Sequence, residues 1–320
     1  MSIKIILAPM HGYTDAPMRD LLTQIGGFDE VVSEFVRITH TLHSRRTWLK
    51  RIPELANNGK TANGTLCCVQ LLGSDPICMA ENAAMAVANG AKKIDLNFGC
   101  PAPTVNKHQG GAALLDNPEL MFRITHKVRQ SLPENIPLTA KMRLGISDTE
   151  KTLDCARALS DANIAELTVH ARTKIQQYNP PAQWQWFAPI QEVIKIPLIA
   201  NGDIFSVQDF NRLCQEITLS GIMLGRGILR KPDLALQIRA NLKQQTIKPL
   251  SYTDIMQILQ KFFRQTIDYS PNNQQYPIAR IKQWLAVLKQ EYCQLQPLFN
   301  SVSKLTTIDD IEQTLLTFTP

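Results

Sequence analysis

Eight short apolar, β-rich runs recur along the 320-residue chain: KIILAPM (4–10), VVSEFVR (31–37), LCCVQLLG (66–73), KIDLNFG (93–99), LTAKMRLG (138–145), ELTVHAR (166–172), PLIANGD (197–203) and GIMLGRG (221–227). Helix-like stretches separate them, among them 75–89, with Pro76 in its first turn, 117–130, 148–161 and 206–216. Strand then helix, repeated eight times, predicts an α/β fold of the (β/α)8 TIM-barrel type. A doubly wound open sheet is the competing arrangement, but no GxGxxG turn follows the first run.

The pattern changes near residue 245. Glycine disappears, and the remaining runs have helical period. The stretch 253–268 puts Ile255, Leu259, Phe262 and Phe263 on one side. The stretch 277–292 does the same with Ile278, Ile281, Leu285, Leu288 and Tyr292, and 308–318 is a further short helix. The predicted division is a barrel over 1–245 and an all-helical domain over 246–320, with SPNNQQYP (270–277) as its clearest loop.

Apolar residues make up 44% and charged residues 19%, which suits a globular chain with a sizeable core. No apolar run has the length of a signal peptide or a membrane span, so a cytoplasmic protein off the membrane is expected. The seven cysteines include no CxxC pair, and adjacent Cys67 and Cys68 would point to opposite faces of a strand. A disulfide framework and a metal site are therefore not expected. The net charge of +6 permits a polyanionic partner. Residues 35–60 carry Arg37, Arg45, Arg46, Lys50, Arg51 and Lys60 against one acid, Glu54. That is either a solvated face or a footprint for a phosphate backbone.

Barrel chemistry sits at the carboxyl ends of the strands. Those ends read Ala8-Pro9-Met10, Glu34-Phe35-Val36-Arg37, Gln70, Asn97 with Cys100, Lys141 with Arg143, His170 with Arg172, Asn201-Gly202-Asp203, and Gly225-Arg226-Gly227. One such polar group is commonly a satisfied buried residue. A ring of them needs pairing, and an anionic ligand would pair the cations. GRG suits a phosphate, Lys141 a negatively charged ring, and the Gln70 and Asn201 amides the edge of a heteroaromatic. Cys100 alone among the cysteines stands where a strand gives way to a loop.

The segments APMHGYTDAPMR, EFVR, VQLLG, DLNFGCPAPTVNKHQGGAALL, KMRLG, VHARTK, IANGDI and LGRG, in this order, resemble the tRNA-dihydrouridine synthases. YPIARIKQWLAVLKQEY (276–292) with Glu34–Arg37 is similar to the bacterial C-type branch, which acts on uridine 16 of the D-loop. The resemblance implies a barrel holding FMN, reduced by NADPH or NADH, and a helical tRNA-binding domain in a monomer. It places FMN against Ala8, Pro9, Met10, Gln70, Lys141, His170, Asn201, Gly202, Asp203, Gly225 and Arg226. It places tRNA against Arg37, Asn97, Tyr178, Arg280 and Lys282, the last two flanking their helix's apolar stripe and so open to a partner. Ala171 stands where many relatives have glycine, and its methyl would narrow the phosphate side.

Hydride delivered from flavin N5 to C6 of uracil leaves C5 needing a proton. A thiol with a pKa of about 8.5 still holds its proton at neutral pH, which makes Cys100 the expected general acid. The alternatives are a barrel flavoenzyme acting on a small pyrimidine, like dihydroorotate dehydrogenase, and a non-catalytic RNA binder.

Overall fold

The computed structural model describes residues 3–106 and 109–318. The chain forms two compact units. The first holds the residues up to Ala16, Phe28–Ile204 and Gln208–Gly225. The second holds Pro17–Gly27, Phe205–Val207 and the chain from Arg226 onward. Residues 17–27 and 226–245 group with the C-terminal helices in this division.

Among the described residues of the first unit, nine strands run parallel: β1 (Lys4–Leu7), β2 (Glu30–Val32), β3 (Val36–Arg37), β4 (Leu66–Leu72), β5 (Ile94–Phe98), β6 (Leu138–Gly145), β7 (Glu166–Thr173), β8 (Leu198–Asn201) and β9 (Gly221–Leu224). β1 pairs with both β2 and β9, and β2 and β3 both pair with β4, so the sheet closes on itself. β2 and β3 together form one of the eight staves. They separate at Ser33, whose N–H donates to the Cys68 carbonyl at 2.9 Å while its Oγ accepts from Gln70 N at 3.1 Å.

The predicted outer helices form as Pro76–Ala88, Pro118–Ser131, Thr152–Asp161 and Val207–Glu216. Asp75 and Asn117 cap the first two by accepting from backbone N–H groups. The helices that the sequence reading did not delimit include Ala16–Ile25, the short Arg45–Arg51, capped by Ser44, Phe187–Val193 and Leu234–Leu242.

Strand alternation divides the barrel interior. β1, β2, β4, β8 and β9 contribute a buried apolar cluster of Ile6, Ala8, Val32, Cys68, Ile199 and Met223. β4 to β7 contribute buried polar groups, Gln70, Asp95, Asn97, Thr139, Lys141, Arg143 and His170. The amino ends of the strands are closed by four alternating charges. Lys4 and Lys93 each contact Glu30 and Glu166 at 2.6 to 2.9 Å. Such a buried network stabilises only while complete, because removing one member strands its partners.

In the second unit, Tyr252–Tyr269 starts at a capping box of Ser251 and Asp254. It packs on Gln275–Leu288, whose Trp284 meets Phe262 edge-on at 4.9 Å and donates its indole N–H to the Leu229 carbonyl at 3.0 Å. Gln296–Val302 and Ile308–Thr317 complete the C-terminal set. The predicted loop over 270–277 ends early, since its helix begins at Gln275.

Lys93→Met should cost about 3–5 kcal/mol in urea unfolding, because it leaves Glu30 and Glu166 short of a cation. Burial pushes the Glu166 carboxyl up, but Lys93 and Lys4 outweigh this and leave it below its ordinary value. Burial pushes Lys93 down, and Glu30 reverses the effect, leaving it raised. A lowered acid contributes above its unfolded value of about 4.3, and a raised base below about 10.4. The difference from the parent protein should therefore be flat between about pH 6 and 9 and shrink as pH falls below about 4.

Candidate active site

Asp95 lies mid-strand in β5 and is buried. Its Oδ2 accepts from Gln70 Nε2 at 2.7 Å, and its Oδ1 accepts from Thr139 Oγ1 at 2.7 Å. Burial raises its pKa, and these two donors pull against that. With its NH2 turned to the carboxylate, Gln70 presents its oxygen to Asn97, whose Nδ2 donates to it at 2.8 Å. Asn97 Oδ1 then accepts from Gly99 N at 3.0 Å and Cys100 N at 2.9 Å. The Cys100 carbonyl accepts from Asn106 Nδ2 and Ala112 N, both at 3.0 Å. Gly111, at φ +60°, lies so close that a Cβ there would stand 2.8 Å from the Cys100 carbonyl oxygen. The loop that carries the thiol is thus fixed on both sides. The thiol itself is half-buried, and burial raises its pKa despite the lowering effect of the Ala102 backbone and Arg143.

Register places Asn97 beside Lys141, and His170 between Arg143 and Asn201. Lys141 Nζ donates to Asn201 Oδ1 at 2.9 Å, and Asn201 Nδ2 donates to the Met223 carbonyl at 2.8 Å. Burial, with Arg143 nearby, lowers the Lys141 ammonium to about 7. Arg143 donates to the carbonyls of Gly99, Thr173 and Gln177, and its guanidinium lies 5.4 Å from the Tyr178 ring centre. Arg172 pairs with Asp203, which also accepts from Ala182 N at 2.7 Å, and Arg172 Nη1 lies 3.3 Å from His170 Nε2.

The remaining predicted residues fall at the same strand ends. The Met10 N–H donates to Thr14 Oγ1 at 2.7 Å, which folds Ala8-Pro9-Met10 into a tight turn after β1. Gly225 follows β9, where an added Cβ would meet only Ala8 Cβ and Met10 Sδ, each at 3.8 Å. Gly202, at φ +131°, gives its carbonyl to Trp184 Nε1. Arg226 opens the next helix with its guanidinium 5.6 Å over Phe205. Tyr178 is 49% exposed and lies 6.2 Å from His170, ring to ring. Arg37 lines a cleft of about 260 Å³ with His40, Ser74, Asp75, Val105 and Gln109.

Three expectations need revision. Arg280 does not project freely. It is buried, stacks 5.6 Å over Phe262 and bonds to Gln283. Lys282 Nζ likewise donates inward, to the Leu305 carbonyl at 2.6 Å. Strand alternation turns Ala171 to the face opposite His170 and Arg172, so its methyl does not narrow the polar side of the barrel. The sequence reading also passed over Asp95 and Thr139. Their signal was a carboxylate and a hydroxyl inside otherwise apolar strands.

The sequence model of the family described as dihydrouridine synthase matches residues 6–318. This chain belongs to that family. It is 51% identical over 315 residues to the tRNA-dihydrouridine(16) synthase of Neisseria meningitidis serogroup B, covering 98% of this chain and 94% of that one. The tRNA-dihydrouridine(16) synthase of Pseudomonas syringae pv. tomato is 45% identical, with 97% of each chain covered. Among solved structures, histamine dehydrogenase from Rhizobium sp. 4-9 gives a TM-score of 0.58 at 12% identity, covering 82% of this chain and 49% of that one. The old yellow enzyme homologue from Zymomonas mobilis gives 0.52 at 15% identity, covering 78% and 91%. These two share the barrel fold. Family membership makes the chain an enzyme and sets aside the non-catalytic RNA binder and the small-pyrimidine oxidoreductase. Among the described residues, no group of His, Cys, Asp and Glu could hold a metal ion, and no helix is long and apolar enough to cross a membrane.

Because burial raises the Cys100 thiol, its alkylation by iodoacetamide should rise with pH at a midpoint above that of an unburied cysteine, about 8.5. Site-resolved mass spectrometry over a pH series reads this directly. A midpoint at or below the unburied value would contradict the geometry.

Proposed function

We propose that this protein reduces uridine in tRNA to 5,6-dihydrouridine, at position 16 of the D-loop, with FMN as cofactor and NADPH as reductant. Its work is that of a cytoplasmic monomer. The observation that carries this reading is Cys100: a half-buried thiol, its pKa raised by burial, on a loop held by Asn97 at the mouth of a polar barrel.

The site's donor set fits FMN. Lys141 is a buried cation whose described hydrogen-bond partner is one amide oxygen, so an anionic ring edge would restore its charge. Ala8, Pro9 and Met10 line one side, and Gly225 leaves open space beside them. Gln70 and Lys141 would hold the ring's polar edge, with His170 beside it. Asn201, Gly202 and Asp203 would hold the ribityl chain, and Gly225 with Arg226 the phosphate. Bound FMN supplies the hydride that uracil C6 requires.

The chain's own residues do the rest. Cys100 delivers a proton to C5, and Asn97 offers its second Nδ2 hydrogen to the uracil edge. Extruding a stacked base costs a few kcal/mol, which contacts at Arg37 and the exposed Tyr178 help offset. Residues 246–320 bind the tRNA body. There Arg280 and Lys282 exchange their partners within the helical unit for RNA phosphate.

Cys100→Ala should keep flavin absorption and tRNA binding while slowing dihydrouridine formation by roughly 10²–10⁴-fold, the range for a lost general acid. Unchanged turnover would remove the proton-donor role. Mapping dihydrouridine in tRNA from a strain lacking this protein should show loss at position 16 alone. Retention there, or loss elsewhere, would overturn the positional assignment.

A further inference from the structure

The helix Arg45–Arg51, RRTWLKR, carries four cations and no acid in seven residues. Arg45, Arg46, Lys50 and Arg51 are all exposed, and among the described residues none has an acidic side chain within ion-pair distance. Two arginines occupy the first turn, where the helix dipole disfavours positive charge, while Lys50 and Arg51 occupy the last turn, where it favours them. Repulsion among four cations on two turns is relieved by no acid of the chain, so their charge is left for something outside it.

The helix is also rigidly seated. Trp48 is fully buried and meets His43 edge-on at 5.9 Å. Asn82 accepts from the His43 N–H at 3.0 Å and donates to the Thr41 carbonyl at 3.2 Å, pinning the entry segment to the helix Pro76–Ala88. With Trp48 and Ile52 directed inward, Arg46 and Lys50, one turn apart, stand on the opposite face, and Arg51 flanks them. Between β3 and the helix, Ile38 to His40 line the 260 Å³ cleft together with Arg37 and with Val105 and Gln109 from the segment after Cys100. The cationic helix begins five residues along the chain from the last of these, His40.

We propose that Arg46 and Lys50, flanked by Arg51, form a docking face for the phosphodiester backbone of the substrate tRNA, gripping the RNA beside the extruded nucleotide. This rests on the tRNA reading above and extends it to a surface that touches neither base nor cofactor. Charge complementarity selects the occupant. Spaced, exposed, rigid cations without acidic neighbours match successive phosphates and give affinity without sequence preference.

The test compares the parent holoenzyme with Arg46→Gln/Lys50→Gln by filter binding of unmodified tRNA across a salt series. A charge-keeping Arg46→Lys/Lys50→Arg variant serves as control, with flavin absorption and thermal unfolding to confirm folding. The neutral variant should bind on the order of tenfold more weakly, and the slope of log K against log salt should fall by about 1 per cation removed. The charge-keeping variant should stay near the parent. Equal affinity and slope in all three would overturn the proposal. Binding of the parent to phosphatidylserine vesicles, with tRNA affinity unchanged by the substitutions, would assign the face to a membrane surface and overturn it too. A parent that fails to bind tRNA at all would defeat the tRNA reading itself.

Discussion

Gln70 and Asp95 meet inside the barrel at 2.7 Å, and the orientation of the loop that carries Cys100 follows from that contact. A carboxylate can only accept, so it turns the Gln70 amide, Gln70 turns Asn97, and Asn97 presents its oxygen to two backbone N–H groups ahead of the thiol. Every member is buried or nearly so, where a wrongly turned amide would leave polar atoms unpaired at about 1–3 kcal/mol each. Polarity set two residues down the strand thereby becomes the position of a sulfur atom on the loop above. Burial holds Asp95 above its ordinary value even with two donors present, so the order of the chain is kept at a cost in charge solvation.

The barrel separates stability from chemistry along its axis. At the amino ends of the strands, the four charges of Lys4, Glu30, Lys93 and Glu166 satisfy one another and close the interior. At the carboxyl ends the balance is left open. Lys141 hydrogen-bonds an amide rather than a carboxylate, and burial, with Arg143 nearby, lowers its pKa despite the raising effect of Asp95. The same lysine chemistry is thus structural at one end and poised for a ligand at the other, and the difference is whether a carboxylate bonds to it directly.

The barrel was legible because eight apolar runs carry the strand pattern with little help from distant contacts. One irregularity, the break at Ser33, is held by a hydrogen bond from Gln70 N to Ser33 Oγ, which no local pattern encodes. Cys100 could be singled out from its place at a strand end. Asp95 could not, because a lone polar residue in an apolar run acquires meaning only through Gln70 and Thr139, on strands 25 and 44 residues away. Helical spacing placed Arg280 beside the apolar stripe but could not show that its guanidinium lies over Phe262. The excess of cations in 35–60 was plain in the sequence. That four of them share one rigid helix became visible only with Trp48 seated in the core.

Proton donation by a half-buried Cys100, as proposed, is tested most directly by a single-turnover pH profile. Pre-reduced holoenzyme is mixed with tRNA, and dihydrouridine is quantified by mass spectrometry from neutral to strongly alkaline pH. A donor that must carry its proton predicts a rate that is level near neutrality and falls on the alkaline side, with the same midpoint as the alkylation of Cys100. A rate that stays level through that midpoint would contradict it.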